Sequence, residues 1–341
     1  MLPAIGAEGQ RGIRDGHVAI VGLGALGCAA ADLLARAGVG QLTLIDRDLV
    51  EWTNLQRQTL YTERDAQLGM PKAEAASARI AEINSEVTCR PIASDCHGEN
   101  IERLLGLAGD NTPARPTLLL DATDNLETRF LLNDVAVKHR LPLVYGGVIA
   151  TRGMHATFVP YAGGPCMRCV FGSPGQPGAS PTCDTAGVLG SAVATVAAGQ
   201  ATDTLKLLTG RGDRIQPALT EFDVWTGHYR VLQWGKKDPE CPCCGRRQFE
   251  FLGARKADAV SLCGQDAVQV RPATTAAVDL PALRQRLERI GQVHATRFML
   301  KFTPSEVSGV SMSVFTDGRA IVHGTTKPEV ARSMYARYIG V

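Results

Sequence analysis

The chain has 341 residues and a formal net charge of +2 at pH 7, with 21% charged and 45% hydrophobic residues. This length allows a large domain plus a smaller one. A charge so close to zero argues against binding to nucleic acid or to an anionic membrane. No apolar run approaches the ~20 residues that span a bilayer, and the start MLPAIGAEGQ lacks the features of a signal peptide, which predicts a cytoplasmic protein.

The first elements predict a βαβ unit. Residues 17–22 (HVAIVG) are a nearly continuous apolar run, which is typical of a parallel strand buried on both faces. Residues 25–37 predict a helix with small residues toward the sheet, and residues 42–45 (LTLI) predict a second strand. This alternation of strand and helix indicates a parallel sheet.

A glycine-rich turn joins the first strand to the helix. Gly22, Gly24 and Gly27 have the G-x-G-x-x-G spacing. In that motif one glycine allows a tight turn, one lets the backbone approach a phosphate, and one lets the helix pack closely. Asp46 follows about 20 residues beyond the glycines, as in the dinucleotide-binding fingerprint. The motif alone does not say which phosphate compound is bound.

The same alternation continues along the chain. Residues 72–83 predict a helix behind Pro71, and three later segments predict strands, at 87–93, 117–125 and 142–149. We therefore predict an α/β fold with a Rossmann-like, doubly wound, mostly parallel sheet. Ligands of such sheets bind beyond the carboxyl ends of the strands, where Asp46, Asp124 and Gly24 would gather.

The second half of the chain predicts a loop, a long helix and a separate small domain. Residues 172–182 are mostly Gly, Pro and Ser, which predicts a mobile surface loop that leads into Cys183. Residues 186–210 predict a long helix of small residues. From residue 253 the pattern changes to short strands and helices, so we assign 253–341 to a small α+β domain.

The spacing of the cysteines predicts a metal site. Ten cysteines in a predicted cytosolic protein point to metal binding or to chemistry rather than to disulfides. Cys166/Cys169 and Cys241/Cys244 form two C-x-x-C pairs, which together offer four thiolates for a tetrahedral, structural zinc ion. The alternative is a set of unpaired buried cysteines. Cys243 could replace Cys244, although the C-x-x-C spacing favours Cys244.

Polar and cationic residues follow the second strand, namely Asn54, Arg57, Gln58 and Lys72. Any one of them alone is more typical of a solvated surface loop. Asp124 precedes a helix-forming stretch, NLETRF, and is compatible both with capping that helix and with binding a metal ion.

Together, these motifs resemble the ThiF/MoeB/HesA family of ubiquitin-activating-enzyme-like adenylyltransferases. The resemblance is carried in order by VAIVGLGALG, LTLIDRDLVEWTNLQRQTLY, GMPKAEAA, LLLDATDN, CMRC, TCDTAGVLG and CPCCG. It implies that residues 1–252 form an ATP-binding adenylation domain. Such enzymes use ATP and magnesium to adenylate the C-terminal glycine carboxylate of a ubiquitin-like sulfur-carrier protein, ThiS- or MoaD-like and ending in Gly-Gly. They release pyrophosphate.

The resemblance implies roles for the glycines and for Asp46. The backbone of Gly22, Gly24 and Gly27 would approach the phosphates of ATP together with the N-terminus of the following helix. Asp46 would accept hydrogen bonds from the ribose hydroxyls.

The remaining polar residues receive roles in the same way. Asn54, Arg57 and Lys72 would clamp the triphosphate and stabilise the negative charge that grows as the carboxylate attacks. Asp124 would hold magnesium, and Asn125 would lie beside the nucleotide.

Cys183 is the candidate catalytic thiol. In several family members a cysteine at this place forms a covalent link with the activated carrier or with a sulfur donor, which is a suitable reaction for a thiolate. We expect Cys183 to serve sulfur transfer rather than adenylation. The resemblance also implies a homodimer, and a cysteine desulfurase or a sulfurtransferase as a further partner.

Two regions depart from the family pattern. Relatives carry an arginine ahead of LPxIGxEGQ that reaches the ATP of the dimer partner. Either the start of this chain lies upstream, or Arg11 or Arg14 substitutes, or ATP binding is weaker. The domain at 253–341 lacks a rhodanese active loop and does not end in Gly-Gly. The motifs of this domain do not indicate its role, and we favour docking of the carrier. Its cysteine, Cys263, is more typical of a packed residue than of a second catalytic thiol.

Three other functions are weighed against adenylation. An NAD(P)-dependent dehydrogenase would explain the glycines and Asp46 but not Arg57, Lys72 and the cysteine pairs. A non-catalytic relative would only bind a ubiquitin-like protein. A dehydratase acting on a tRNA base lacks the support of a basic patch. The sequence does not select among thiamine, molybdopterin, cysteine and tRNA thiolation pathways.

Overall fold

The computed structural model describes residues 2–109, 115–173, 187–253, 259–261, 266–271, 278–296 and 299–340. The chain divides into two compact units, Met1–Arg255 and Lys256–Val341. Among the described residues no helix combines the length and the apolar character that crossing a membrane would need.

The N-terminal unit alternates strands and helices. Its strands are β1 (His17–Val21), β2 (Gln41–Asp46), β3 (Thr88–Ala93), β4 (Leu118–Asp121), β5 (Leu143–Ile149), β6 (Arg152–Phe158), β7 (Ala218–Asp223) and β8 (His228–Gln233). Its helices are α1 (Gly6–Arg14), α2 (Ala25–Ala37), α3 (Glu63–Leu68), α4 (Lys72–Ile83), α5 (Ile101–Leu104), α6 (Leu126–His139), α7 (Met167–Phe171) and α8 (Gly190–Leu208).

The eight strands form one sheet in the order β3-β2-β1-β4-β5-β6-β7-β8. The pairs from β3 to β5 are parallel, and the pairs from β5 to β8 are antiparallel. The change of direction occurs where Ile149 pairs with Arg152, because a connection of two residues can only reverse the chain. The predicted fold class is confirmed, and the antiparallel edge is an addition that the sequence did not predict.

Both faces of the sheet are covered, which explains the continuous apolar run of β1. Val18 and Ile20 belong to the core on one face, which includes α2 and α8, whereas Ala19 and Val21 belong to the core on the other face, beside α6. Alternate residues of a strand point to opposite faces, so a strand covered on both sides must be apolar throughout.

Two helices that position the site, α2 and α4, begin and end at the residues that nearby sequence signals predict. Helices α2 and α4 have the predicted bounds, 25–37 and 72–83. Helix α2 ends at Gly38, whose φ of +85° closes the last turn in the left-handed conformation that glycine adopts readily.

In the C-terminal unit the described residues form an antiparallel sheet and two helices. Its strands are β9 (Ala259–Ser261), β10 (Ala267–Val270), β11 (Gly291–Ala295), β12 (Met299–Pro304), β13 (Ser311–Phe315) and β14 (Ala320–His323), in the order β11-β12-β13-β14-β10-β9. Its helices are α9 (Leu280–Leu287) and α10 (Pro328–Tyr338). One core, which includes Phe302, Val314 and Tyr335, holds this unit together.

Candidate active site and cysteine cluster

The three glycines of the G-x-G-x-x-G motif, which spans the loop after β1 and the first turn of α2, differ in how much space surrounds them. Gly22 has a φ of +89°, and a Cβ atom there would lie 2.7 Å from the Ala122 carbonyl oxygen. A Cβ atom at Gly27 would lie 2.0 Å from the Gly22 carbonyl oxygen, so close packing of α2 requires this glycine. At Gly24 the nearest atom to such a Cβ is 4.0 Å away, in the side chain of Gln58. Protein packing therefore does not account for Gly24, and the loop leaves space there for a ligand.

Asp46, at the end of β2, is hydrogen-bonded to the backbone of this loop. Its Oδ2 accepts a hydrogen bond from the Leu23 N–H at 2.6 Å, and its Oδ1 accepts one from the Asp48 N–H at 2.7 Å. Burial raises the pKa of Asp46, and the neighbouring Lys72 ammonium opposes that shift. The carboxylate thus lies directly against the glycine loop.

Lys72 is the first residue of α4 and is buried. Its Nζ lies 3.1 Å from Asp48 Oδ2, and its backbone N–H donates to the Asp48 carbonyl oxygen at 2.9 Å. Burial alone would lower the pKa of Lys72, but the carboxylates of Asp48 and Asp46 outweigh it and raise that pKa above the ordinary value. The Lys72 side chain is therefore protonated at neutral pH and paired with Asp48.

The end of β4 brings a second pair of acidic residues to the same edge. Asp121 is fully buried, and its Oδ1 accepts hydrogen bonds from the Thr123 N–H at 2.9 Å and the Thr123 hydroxyl at 2.7 Å. Arg129 Nε lies 3.8 Å from Asp121 Oδ2. Burial raises the pKa of Asp121, and Arg129 opposes the shift. Asp124, in contrast, is exposed.

Asn125, not Asp124, caps helix α6. The Asn125 Oδ1 accepts a hydrogen bond from the Thr128 N–H at 2.8 Å. The capping interpretation of Asp124 is therefore wrong, because the helix begins one residue later than that interpretation requires. The exposed Asp124 carboxylate therefore takes no part in capping α6.

The segment after β2 forms a turn beside the glycine loop. The Asn54 Oδ1 accepts from the Glu51 N–H at 3.1 Å, and Arg57 donates to the Thr53 carbonyl oxygen at 3.1 Å. Gln58 is buried, and its Oε1 has no hydrogen-bond partner among the described residues. This turn brings the Gln58 side chain to Gly24 and leaves the Arg57 side chain half-buried.

The four predicted cysteine ligands lie together. The Sγ atoms of Cys166, Cys169, Cys241 and Cys244 are all within 4.8 Å of one another. The separation is 3.8 Å for Cys166–Cys241, 4.0 Å for Cys166–Cys169 and 3.4 Å for Cys169–Cys244. Tetrahedral zinc with Zn–S bonds of about 2.3 Å requires sulfur atoms about 3.8 Å apart. The cluster can therefore hold a metal ion such as zinc.

Cys243 lies beside this cluster with a different environment. Its Sγ accepts a hydrogen bond from the Asn133 Nδ2 at 3.3 Å, while the Asn133 Oδ1 accepts from the Met167 N–H at 2.9 Å. Asn133 thus links helix α6 to the first cysteine pair. The group of four sulfur atoms that lie within 4.8 Å of one another includes Cys244 and not Cys243, which favours Cys244 as the fourth ligand.

The family model described as "ThiF family" matches residues 1–243. The chain belongs to the ThiF family. The resemblance deduced from its motifs is thereby confirmed.

Curated relatives agree with this assignment. The sulfur carrier protein ThiS adenylyltransferase of Bacillus subtilis is 40% identical over 343 residues, which cover 100% of this chain and 97% of that protein. The SAMP-activating enzyme E1 of Haloferax volcanii is 37% identical over 72% of this chain and 86% of its own length. The adenylyltransferase and sulfurtransferase MOCS3 of Drosophila ananassae is 39% identical over 72% of this chain and 52% of its own length, so this chain spans about half of it.

Solved structures share the fold. MccB of E. coli, in a crystal structure with ATP, has a TM-score of 0.59 and 21% identity over 70% of this chain and 69% of that chain. PaaA has a TM-score of 0.55 over 66% of each chain. At this level of identity the likeness concerns the fold alone.

In this ThiF-family chain, the structure gathers most of the residues that the sequence analysis selected. Asp46 contacts the glycine loop, and Lys72 is linked to β2 through Asp48. The close approach of Gly22 to Ala122 brings the end of β4, and hence Asp124, to the same edge. Cys183 and Cys263 lie outside the described residues, as does most of the predicted loop at 172–182.

Two site residues were missed by the sequence analysis of this ThiF-family chain. Asp48, the partner of Lys72, could have been noticed, because it follows Asp46 in a D-x-D pattern. Tyr61 donates its hydroxyl to the Leu23 carbonyl oxygen at 2.7 Å, and no local sequence signal indicates this contact.

Proposed function

We propose that this chain adenylates the C-terminal glycine carboxylate of a ubiquitin-like sulfur carrier of the ThiS type. The observation that carries the proposal is the placement of the open Gly24 loop, Asp46 and the charged Lys72 at one edge of the sheet. A buried cation beside a phosphate-binding loop suits the charge of a triphosphate and of the leaving pyrophosphate. The family membership supports the same conclusion.

In the proposed reaction, a carboxylate oxygen of the carrier attacks the α-phosphorus of ATP. The bond from the α-phosphorus to the bridging oxygen breaks, and pyrophosphate leaves with that electron pair. Backbone N–H groups at the start of α2 would hold the phosphates, because a helix N-terminus carries unpaired donors and a partial positive charge. Asp46 has lone pairs left on both oxygens, so it can still accept from the ribose hydroxyls.

Lys72 and Arg57 would stabilise the charge that moves onto the pyrophosphate. Lys72 is already held in place by Asp48, so little reorganisation is needed when the nucleotide arrives. Arg57 is anchored by its bond to the Thr53 carbonyl oxygen and is half-buried. Asn54 shapes the turn that carries Arg57, and we assign it to the same triphosphate clamp.

Asp124 is the residue that would bind magnesium. Asp121 is buried and accepts hydrogen bonds from Thr123, whereas Asp124 is exposed in the segment that follows the same strand. Magnesium prefers one or two carboxylates together with phosphate oxygens and water, and this environment fits it. When bound, the ion would neutralise charge on the phosphates. Asn125 holds the helix start beside it.

The cysteine cluster would bind zinc as a structural ion. Cys166 and Cys169 lie at the start of α7, and Cys241 and Cys244 lie beyond β8, so one ion would fix distant parts of the N-terminal unit to each other. Four thiolate ligands leave no open position for catalysis.

The extent of similarity favours a ThiS-type carrier among those considered. The Bacillus subtilis ThiS adenylyltransferase matches this chain over its full length, whereas the SAMP-activating enzyme and MOCS3 match 72% of it. The C-terminal unit is therefore shared with an enzyme whose name specifies ThiS. We assign this unit to docking of the carrier.

The proposal also covers sulfur transfer by Cys183, the oligomeric state and the cellular location. We assign Cys183 to sulfur transfer after adenylation, with a cysteine desulfurase or sulfurtransferase as donor, and we expect a homodimer in the cytoplasm. In a Cys183→Ala variant, ATP–pyrophosphate exchange should continue while formation of the carrier thiocarboxylate stops. Loss of exchange itself would contradict this division of roles.

ATP–pyrophosphate exchange with purified carriers tests the function directly. A ThiS-type carrier should support exchange, a SAMP-type carrier should support it less, and a ThiS-type carrier without its last two glycines should not support it. Absence of exchange with every Gly-Gly carrier would contradict adenylation. A carrier-independent change in nicotinamide absorbance would instead favour the dehydrogenase.

A further inference from the structure

Tyr61 lies behind the glycine loop and contacts two parts of the site at once. Its side chain is buried, and its hydroxyl donates to the Leu23 carbonyl oxygen at 2.7 Å. The same hydroxyl lies 3.3 Å from the carbonyl oxygen of Lys72. Tyr61 therefore links the loop after β1 to the first residue of α4.

The backbone of Leu23 is held on both sides. Its N–H donates to Asp46 Oδ2 at 2.6 Å, and its carbonyl oxygen accepts from the Tyr61 hydroxyl and, at 3.2 Å, from the Cys28 thiol. A thiol is a weak donor, so the tyrosine hydroxyl makes the stronger of the two bonds. This carbonyl group is consequently turned toward the protein interior.

The orientation of that carbonyl determines the direction of the next N–H. A trans peptide is planar, and its C=O and N–H groups point in opposite directions; the described residues contain no cis peptide. Since the Leu23 C=O points inward to Tyr61, the Gly24 N–H points outward from the loop. Gly24 is the glycine above which the loop leaves open space.

We infer that Tyr61 is a positioning residue that turns the Gly24 N–H toward the phosphates of the bound nucleotide and aligns the loop with Lys72. This inference rests on the proposed use of ATP. Tyr61 itself does not touch the nucleotide; it acts through the Leu23–Gly24 peptide. The residue deepens the proposed site by explaining what holds the phosphate-binding backbone in one orientation.

The experiment compares ligands with and without phosphates. In the full chain, Tyr61→Phe removes only the hydroxyl, and binding is measured by calorimetry with α,β-methylene ATP and with adenosine. We expect the Kd for the ATP analogue to rise about tenfold, since a buried carbonyl loses its strongest donor. The Kd for adenosine should stay unchanged, because adenosine makes no contact with the Gly24 N–H.

Tyr335→Phe is the matched control. The Tyr335 hydroxyl is also buried and donates to a loop carbonyl, that of Gly318, at 2.6 Å in the C-terminal unit. Its loss should lower thermal stability to a similar degree and leave binding of the ATP analogue unchanged. If the role of Tyr61 were purely structural, the Kd for the ATP analogue would be the same in the two variants.

Each outcome decides the question. An equal rise in Kd for adenosine and for the ATP analogue, or an unchanged Kd for both, would overturn the role of Tyr61. If Tyr61→Phe does not fold, Cys28→Ala tests the weaker bond to the same carbonyl, and we expect a rise of about threefold for the ATP analogue only; an unchanged Kd would then contradict the inference. If the unmodified chain fails to bind the ATP analogue at all, the proposed function fails instead.

Discussion

The ammonium group of Lys72 and the carboxylate of Asp48 form an ion pair of 3.1 Å at the edge of the candidate site. Lys72 is buried at the start of α4, whereas Asp48 remains partly exposed beyond β2. The pair therefore holds the Lys72 ammonium beside the end of β2, where we propose that it faces the triphosphate.

Replacing Lys72 should abolish most of the adenylation activity. Lys72→Met keeps the apolar volume but removes the charge that would stabilise the leaving pyrophosphate, so we expect ATP–pyrophosphate exchange to fall by about 10²–10³-fold. Lys206→Met is the control, because Lys206 also pairs with an aspartate, Asp203, at 2.9 Å. Exchange at the unmodified rate in Lys72→Met would contradict the assigned role.

Asp48→Asn should make the activity sensitive to alkaline pH. The Asp48 carboxylate raises the pKa of Lys72 against the opposing effect of burial, so its removal must lower that pKa. Exchange in the variant should therefore decline at a lower pH than in the unmodified chain, as Lys72 loses its proton. The measurement is the pH profile of kcat/KM from pH 6 to 10. Coincident alkaline limbs would show that Lys72 does not depend on Asp48 for its charge.

Alanine at Gly24 and at Gly27 should have different effects. At Gly27 the added Cβ would lie 2.0 Å from the Gly22 carbonyl oxygen, so we expect a loss of stability of about 3 kcal/mol or more, or no folded protein. At Gly24 the added Cβ meets no atom closer than 4.0 Å, so the fold should remain while ATP binding weakens. Thermal unfolding and ATP titration distinguish the two. Normal ATP affinity in Gly24→Ala would argue against a phosphate above this glycine.

The two adjacent cysteines of CPCC should differ in metal binding. Cys244→Ala should reduce the zinc content well below one ion per chain and lower the Tm, because Cys244 belongs to the four-thiol cluster. Cys243→Ala should retain the ion, since the Cys243 sulfur is not among the four that lie together. Elemental analysis together with thermal unfolding measures both effects. The reverse pattern would assign the fourth ligand to Cys243.

Removal of the C-terminal unit should affect the carrier rather than ATP. Truncation after Arg255, where the chain divides into its two compact units, should raise the KM for a ThiS-type carrier and leave the KM for ATP unchanged. Initial rates of exchange at varied carrier and varied ATP separate the two constants. An unchanged KM for the carrier would exclude docking by this unit.

Local features of the sequence predicted much of the fold and part of the site. Helices α2 and α4 were predicted with their bounds, because their starts and ends depend on nearby glycine and proline residues. The antiparallel strands β6 to β8 were not predicted, because their pairing depends on residues distant along the chain. Assigning Asp124 to a helix cap failed for a different reason: Asn125, the next residue, has an equally suitable side chain.

The sequence by itself determined the family, the glycine loop and the two cysteine pairs, since each of these is a short pattern of residue types at fixed spacing. Only the tertiary structure decided that Asp48 holds Lys72, that Gly24 has open space beside it while Gly22 and Gly27 do not, and that Tyr61 fixes the peptide before Gly24. These relationships depend on burial and on contacts between separate elements. A hydrogen bond from Tyr61 to Leu23 exists only once the turn after β2 packs behind the loop after β1.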